Sequence, residues 1–264
     1  SWRDIGAFAS KQGFNDVFSK INVHESTDKS RAKDDYFHPW GIYDEYLYNF
    51  IFKHLQEGGQ KKFILALSTN NHPPYDVPPH YKKRLKIKKA LAQNIIGDLD
   101  LALRRLVSYS YALDSVGAFL DKIKSHARLK DNTIVVVTAD NNTIEGIMRY
   151  EREPVFTAKN IPLYFYVPPK LRGGLSFDPN THGSSKDIFP SIYHLALSEQ
   201  EYLSIGFNLF DKHLPHYGLN EAAIIIKDGE AYQLRGLKDD SALGALYRAN
   251  IAITQGLLEL YTKD

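Results

Sequence analysis

The chain has 264 residues, 43% of them hydrophobic and 24% charged, which suits one large α/β domain and excludes disorder throughout. Its 33 basic and 31 acidic residues leave a net charge of +2, which gives no argument for binding nucleic acid or membranes. The absence of cysteine excludes disulfides, thiolate metal sites and cysteine nucleophiles. No apolar run reaches the ~18 residues that span a bilayer.

The first half of the sequence predicts two helices, two strands and a proline-rich loop. In chain order these are a helix over 4–12, a strand within 14–23, a helix over 43–55, a continuous apolar strand over 61–69 (KKFILALST) and a loop over 70–79 (NNHPPYDVPP). A basic run, KKRLKIKK, follows at 82–89. It is interpreted as a solvated face or as a rim that attracts anions.

The second half of the sequence alternates helices with apolar strands. Its predicted elements are a helix over 92–126 with a break near Tyr109, strands over 133–140 and 161–169, a serine-capped helix over 184–197, a hairpin over 222–236 and a helix over 241–262. The hairpin is predicted from the KDGE turn signal between two apolar runs.

Continuous apolar strands that alternate with helices indicate a parallel sheet buried on both faces. The predicted fold is therefore a three-layer α/β/α sandwich with a mostly parallel central sheet, followed by a C-terminal β-hairpin and helix, in a single domain over 1–264. Ligands bind beyond the carboxyl ends of the strands in such sheets. Two of these ends carry polar side chains: Asn70, Asn71 and His72 after one strand, and Asp140, Asn141 and Asn142 after the next.

Each of these side chains has a structural and a functional interpretation. Asp140 either caps its loop through an Asx-turn or is a hard oxygen ligand for a metal on a rigid strand. His72 is either structural or a positioned imidazole that donates to an anionic oxygen or transfers a proton. Asn70 and Asn71 are expected to cap the turn.

Five motifs in order resemble the phosphoglycerol transferases and lipoteichoic acid synthases, a sulfatase-like branch of the alkaline phosphatase superfamily. The stretch FILALSTNNHPPYDVP is similar to the family's strand and "NHPPY" loop, and TIVVVTADNN to its strand that ends in "TADH". The other three are DDYFHPWGIYDEYLY, IPLYFYVP and SSKDIFPSIYHLAL. The opening SWRDIGAFASKQGFNDV also resembles a segment that follows the family's nucleophile.

The resemblance implies a two-step transfer in which a threonine attacks phosphorus and forms a covalent intermediate. A divalent metal assists, with manganese expected first and zinc, magnesium or calcium as alternatives. By motif, Asp140 would be a metal ligand and His72 a contact to the substrate phosphate. Trp40 would line the substrate pocket, with Asp35 at a polar position before it. Trp40 could equally be a core aromatic residue.

Two departures from the family pattern affect the predicted site. The family's nucleophile and first metal-binding acid lie upstream of the segment that residues 1–17 resemble, so neither is expected in this chain. The expected partner is therefore the amino-terminal part of the same domain. The family's histidine after the aspartate is Asn141 here, and a carboxamide oxygen binds transition metals more weakly than imidazole does.

Three functions remain open from the sequence. The first is a transferase or hydrolase that acts on an anionic phosphodiester, or a sulfate ester, in the head groups of cell-envelope lipids or glycans. It would act in the periplasm or outside the cell, anchored to the membrane upstream of this chain. The second is a true sulfatase, and the third a non-catalytic remnant with a degenerate metal site. His182 aligns loosely with zinc-binding histidines of related phosphoethanolamine transferases, and is interpreted as a ligand or as a structural residue.

Overall fold

The computed structural model describes residues 4–27, 36–82, 92–142, 147, 149, 159–197, 199–220, 224–237 and 241–262. The chain divides into two compact units. The first unit is Ser1–Thr133 with Glu145–Arg149, and the second is Ile134–Ile144 with Tyr150–Asp264. That the whole chain forms one domain stays a prediction. Asp35 and all but the first residue of the basic run at 82–89 lie outside the described residues.

Where the structure describes it, the first unit is mainly helical, with one short antiparallel hairpin. Its helices are α1 (Ile5–Lys11), α2 (Lys20–Glu25), α3 (Asp44–Gln56) and α4 (Leu99–Ser125), and its strands are β1 (Phe37–His38) and β2 (Gly41–Ile42). The helices predicted at 4–12 and 43–55 are confirmed. Helix α4, which was predicted over 92–126, is unbroken at Tyr109. It begins later than predicted, because Asp98 caps it by accepting the N–H of Leu101 at 2.7 Å.

Helices α3 and α4 pack together through aromatic side chains and enclose the core of the first unit. Tyr48 stacks on Phe119 with ring centroids 5.4 Å apart, and Tyr43 meets Tyr111 edge to face. The core consists of Val23, Tyr36, Ile42, Tyr43, Tyr46, Phe50 and Tyr111. Since Ile42 ends β2 and Tyr43 directly follows the hairpin, this core anchors the hairpin.

The strand predicted within 14–23 is wrong, because α2 occupies its second half. Ser19 begins the helix: its hydroxyl accepts the N–H of Ile21 at 3.2 Å, and the Asn22 side chain accepts the N–H of Ser19 at 2.8 Å. These reciprocal caps outweigh the β propensity of the apolar residues.

The buried strand predicted at 61–69 is also wrong in the described structure. The segment has no strand pairing, and its large side chains are exposed: Phe63 by 56%, Leu65 by 66% and Leu67 by 62%. No backbone hydrogen bond joins residues 61–68 to another described residue. An apolar run specifies that a segment needs burial, whereas its neighbours determine whether it pairs.

In its described residues, the second unit contains two small antiparallel sheets and two α-helices. Its elements are β3 (Val135–Thr138), β4 (Leu163–Tyr166), α5 (Ile188–Ala196), β5 (Gly218–Leu219), β6 (Ile224–Lys227), β7 (Glu230–Gln233) and α6 (Ala242–Thr262). Tyr217, Ile225 and Tyr247 form its buried core, which joins the sheet to α6. Within the described ranges, no helix has the length and apolarity needed to cross a membrane.

The fold is mixed α/β, but the predicted parallel central sheet is not found among the described residues. β3 pairs with β4 in antiparallel register, with Val135 opposite Tyr166, and the other two sheets are antiparallel as well. The C-terminal hairpin and helix are confirmed. Asp228 and Gly229 turn the hairpin with φ of 52° and 82°, as a type I′ turn requires.

Candidate functional site

Trp40 and His72 lie in direct contact on the surface of the first unit. Trp40 occupies the turn between β1 and β2 and is 50% exposed, while His72 lies in the exposed proline-rich loop. Their ring centroids are 4.3 Å apart, and the indole Nε1–H donates to the carbonyl of Pro73 at 2.9 Å. The structure thus brings together two residues that the sequence predicted as substrate contacts, and their role stays a prediction.

The same carbonyl fixes how His72 presents its imidazole. Nδ1 of His72 lies 3.1 Å from the Pro73 oxygen, which can only accept, so Nδ1 carries the hydrogen. No described residue hydrogen-bonds Nε2. Neutral His72 therefore offers an acceptor at Nε2, and protonated His72 offers a charged donor suited to an anionic oxygen.

A buried hydrogen-bond network centred on Asp44 and Asn70 supports this loop. Both residues are fully buried. Asp44 Oδ1 accepts the N–H groups of Thr69 and Asn70, each at 3.3 Å, and Asn70 Oδ1 accepts the N–H of Asp44 at 2.8 Å. Asn70 Nδ2 donates to the carbonyl of Asp76, and Ser108 donates to that of Asn70. Asn70 thus closes the loop, in agreement with its predicted capping role.

Asp44 is the electrostatically unusual member of this network. Burial raises the pKa of its carboxyl group from 3.8 to about 6, although the two N–H donors act in the opposite direction. Its Oδ2 has no hydrogen-bond partner among the described residues. The sequence interpretation missed Asp44. The signal was an acid in the first turn of a helix, inside the same motif DDYFHPWGIYDEYLY that carries Trp40.

Gly41 permits the close approach of the hairpin to the end of segment 61–69, which precedes the loop. A Cβ atom at Gly41 would lie 2.7 Å from Oγ1 and 3.0 Å from Cγ2 of Thr69. Thr69 in turn donates its hydroxyl to the carbonyl of Ile42 at 3.4 Å. A glycine after Trp40 therefore lets the hairpin contact the end of segment 61–69.

Asp140 and Asn141 lie in the second unit, just beyond the end of β3, and both are exposed. Asp140 Oδ1 accepts the N–H of Asn141 at 2.9 Å, a local contact that fits the loop-capping interpretation. Among the described residues, no three histidine or acidic side chains are grouped closely enough to hold a metal. The described side chains therefore do not form a complete metal site, and the predicted ligand role of these two residues stays untested.

His182 takes part in a local structural contact of the second unit. Its Nε2 accepts the N–H of Gly229 at the hairpin turn, at 3.1 Å. A ring nitrogen that accepts this bond has its lone pair occupied, which favours the structural interpretation over metal ligation.

A second buried acid, Asp187, holds the start of α5. Its Oδ1 accepts the N–H of Phe207 at 2.8 Å and its Oδ2 that of Ser184 at 2.9 Å. Lys186 Nζ lies within 2.7 Å of both oxygens and over the ring of Tyr217. Burial lowers the pKa of Lys186, and Asp187 opposes that shift. The sequence pattern predicted a serine-capped helix start, but not this ion pair.

The described fold is mixed α/β, and a comparison with known protein families shows the class of the chain. A family model, Sulfatase, matches residues 1–196, which include Trp40, His72 and Asp140. The chain therefore belongs to the sulfatase family, within the alkaline phosphatase superfamily of hydrolases and transferases. Members of this family generally use a divalent metal.

Proposed function

We propose that this chain binds the phosphorylated head group of a cell-envelope lipid or glycan, as part of a phosphoglycerol-type transferase or hydrolase of the alkaline phosphatase superfamily. Membership of the sulfatase family supports the general chemistry. The contact between Trp40 and His72 carries the narrower proposal, because it combines a half-exposed indole with an available imidazole nitrogen. Such an enzyme would act at the outer face of a bacterial inner membrane.

The two side chains suit different parts of a phosphoglycerol group. The flat indole of Trp40 can pack against the C–H groups of glycerol, which are apolar. His72 in its protonated form can donate from Nε2 to a phosphate oxygen, and this charge-assisted bond is the stronger contact. The Asp44–Asn70 network holds the His72 loop, so the imidazole is positioned before the substrate arrives.

Tryptophan fluorescence tests this proposal directly. The chain has two tryptophans, so Trp2→Phe leaves Trp40 as the only reporter. We expect glycerol 1-phosphate to change Trp40 emission saturably, with inorganic phosphate and sulfate as comparison ligands. His72→Gln should abolish the change, whereas His54→Gln, at an imidazole that pairs with Glu57, should retain it. An equal response in His72→Gln, or none with any ligand, would overturn the proposal.

We also propose that a further polypeptide supplies the nucleophile and pairs with the exposed segment Lys61–Ser68. Phe63, Leu65 and Leu67 alternate with Ile64 and Ala66, so both faces of the segment are apolar. The backbone of the segment has no partner among the described residues. A run that is apolar on both faces and has no backbone partner among the described residues fits a central strand of a sheet.

A complementation assay tests this partner. The chain would be mixed with the separately expressed amino-terminal portion of a phosphoglycerol transferase domain, and release from bis(p-nitrophenyl) phosphate would be measured. We expect Leu65→Lys to abolish complementation. Leu203→Lys, at an equally exposed leucine of the second unit, should have no effect. Full activity of the Leu65→Lys mixture would contradict the proposal.

A non-catalytic binding module is the second candidate, and Asn141 is the observation that favours it. A carboxamide after Asp140 makes a weaker metal ligand than imidazole. If the site is degenerate, the unmodified chain should bind Mn²⁺ weakly, and Asn141→His should bind it more tightly. Asn142→His is the matched control. Tight, stoichiometric Mn²⁺ in the unmodified chain, measured from the loss of the free-ion EPR signal, would exclude this candidate.

A further inference from the structure

An open cavity of about 490 Å³ lies on the surface of the second unit, beside helix α5. This volume is within the roughly 300–1,000 Å³ that is typical of small-molecule sites. One side of the cavity is formed by α5 and the rest by the chain that follows this helix. The lining residues that matter for its chemistry are Tyr193, His194, Glu199, Tyr202, Phe207 and Asn208.

The segment that carries Glu199 is fixed on α5 through Tyr193. The Tyr193 hydroxyl accepts the N–H of Gln200 at 2.7 Å and donates to the Gln200 carbonyl. Glu199 is held with φ of 65°, a left-handed conformation that is uncommon for a residue other than glycine. Residues in such conformations are concentrated at ligand sites, where the surrounding structure holds them in place.

A second segment of the lining is fixed at the start of the same helix by two buried side chains. Oδ1 of Asp187 accepts the N–H of Phe207 at 2.8 Å. Oγ of Ser191 accepts the N–H of Leu209 at 2.9 Å and donates to the carbonyl of Asp187 at 2.7 Å. Asn208 lies between these two anchored residues. Because both segments are held before a ligand is present, the entropic cost of binding is reduced.

The lining combines aromatic rings with polar groups. Tyr202 is 40% exposed and packs on Tyr193 with ring centroids 4.5 Å apart. Four polar groups of the lining have no hydrogen-bond partner among the described residues: the Tyr202 hydroxyl, the His194 imidazole, the Glu199 carboxylate and the Asn208 Nδ2 amide. The described lining contains one acid and neither lysine nor arginine. It therefore offers both donors and acceptors, and no cation for an anionic ligand.

We infer that this cavity binds a pyranose ring of a carbohydrate. A pyranose has apolar C–H groups on its faces, which can pack on the exposed ring of Tyr202. Its hydroxyls both donate and accept, so Glu199 can accept from one and the Asn208 amide can donate to another. A phosphate or sulfate would instead be repelled by the Glu199 carboxylate. The inference does not depend on the proposed function, because the Trp40–His72 contact belongs to the first unit.

Saturation-transfer NMR on the full chain tests this site. The probes are glucose, N-acetylglucosamine and maltotriose, and we expect saturable transfer to the ring protons of at least one of them. Tighter binding of maltotriose than of glucose would identify the ligand as part of a longer glycan, and equal binding a single sugar. Circular dichroism melts would establish that each variant is folded.

Three substitutions locate the binding. Tyr202→Ala removes the exposed ring, and we expect it to raise the Kd by at least about tenfold. Glu199→Gln keeps the size of the side chain but replaces a charged acceptor with a neutral one, which should raise the Kd by about fivefold. Tyr164→Ala is the matched control, since Tyr164 is a 59% exposed tyrosine of β4 outside the cavity lining, and it should leave the Kd unchanged.

Two results would overturn the inference. The first is no transfer to any of the three sugars, or the same Kd in folded Tyr202→Ala as in the unmodified chain. The second is binding of tetramethylammonium, without sugar binding, that is lost in Glu199→Gln, because the site would then take an organic cation through its rings and carboxylate. The proposed function fails separately, since it requires a response of Trp40 emission to glycerol 1-phosphate.

Discussion

Among the described residues, each compact unit contains one fully buried aspartate, and the two are satisfied differently. Asp187 has N–H donors on both oxygens and an adjacent ammonium group. Asp44 has two N–H donors on one oxygen and none on the other. Both acids begin or precede a helix and both hold a distant backbone segment, so the difference lies in how their charge is compensated.

The comparison distinguishes a structural clamp, the buried ion pair of Asp187 with Lys186, from a titratable link, the buried acid Asp44 with its raised pKa. A buried carboxylate with a lysine partner is costly to break, because removal of either group leaves the other charge unpaired. A buried carboxylate without a cation is costly to ionise, and its pKa rises instead. Asp44 joins α3 to the His72 loop, so in the first unit the titratable acid supports the candidate site.

The largest expected effect comes from breaking the clamp of the second unit. Asp187→Ala leaves Lys186 unpaired and two N–H groups unsatisfied, so we expect the free energy of unfolding to fall by about 3–5 kcal/mol. Urea unfolding measures this change. Lys186→Met together with Asp187→Asn should recover part of the loss, because no charge then remains buried. A loss below about 1 kcal/mol, typical of a surface pair, would show that the acid is not a clamp.

The next effect is the pH dependence that Asp44 contributes. Its folded pKa, about 6, exceeds the ordinary 3.8, so the folded chain binds the proton more tightly. Its stability contribution is full below pH 3.8 and is lost as the pH rises through about 6. Asp44→Asn removes this titration, and its N–H donors keep a carboxamide oxygen as acceptor. Its stability relative to the unmodified chain should therefore rise by up to roughly 3 kcal/mol between pH 4 and pH 7.

Urea unfolding at several pH values checks the contribution of Asp44. Asp121→Asn is the matched control, since Asp121 is an exposed acid of α4. That variant should follow the unmodified chain at every pH. If Asp44→Asn also follows the unmodified chain, Asp44 does not titrate in this range in the folded state, and the contrast with Asp187 disappears.

The elements that the sequence predicted are those with local signals. Gly13 ends α1, the EGG sequence follows α3, and the Asp228–Gly229 turn closes the β6–β7 hairpin, all within a few residues of the element concerned. Strand pairing is different, because it depends on segments far apart in the sequence. The apolar run 61–69 was therefore interpreted as a paired strand, and β3 was expected in a parallel sheet.

The candidate site divides in the same way. The motifs indicated Trp40 and His72, and the structure places their rings together. The capping role of Asn70 was predicted, but its distant partners Asp44 and Ser108 were missed: they lie 26 and 38 positions from Asn70. Neither the periodicity of hydrophobic residues nor a sequence motif predicts such hydrogen bonds. Their donors and acceptors meet only when the folded backbone brings distant segments together.

The smallest expected effect concerns Gly41, the glycine close to Asp44. Gly41→Ala would press its Cβ on the Thr69 side chain, so we expect a loss of about 1–3 kcal/mol. Thr69→Ala removes both close atoms and should recover most of this loss, which a double-mutant cycle by urea unfolding would measure. Additive losses would show that the two residues do not interact.

The matched change in the second unit should resist such rescue. A Cβ at Gly206 would lie 1.9 Å from the carbonyl oxygen of Lys186, and no side-chain substitution can move a backbone atom out of the way. The junction near Asp44 is therefore built from side chains that can adjust, whereas the junction near Asp187 is fixed by backbone. We expect Thr69→Ala to rescue Gly41→Ala, and no side-chain substitution near Gly206 to rescue Gly206→Ala. The two acids would then differ in the packing around them as well as in how their charge is compensated.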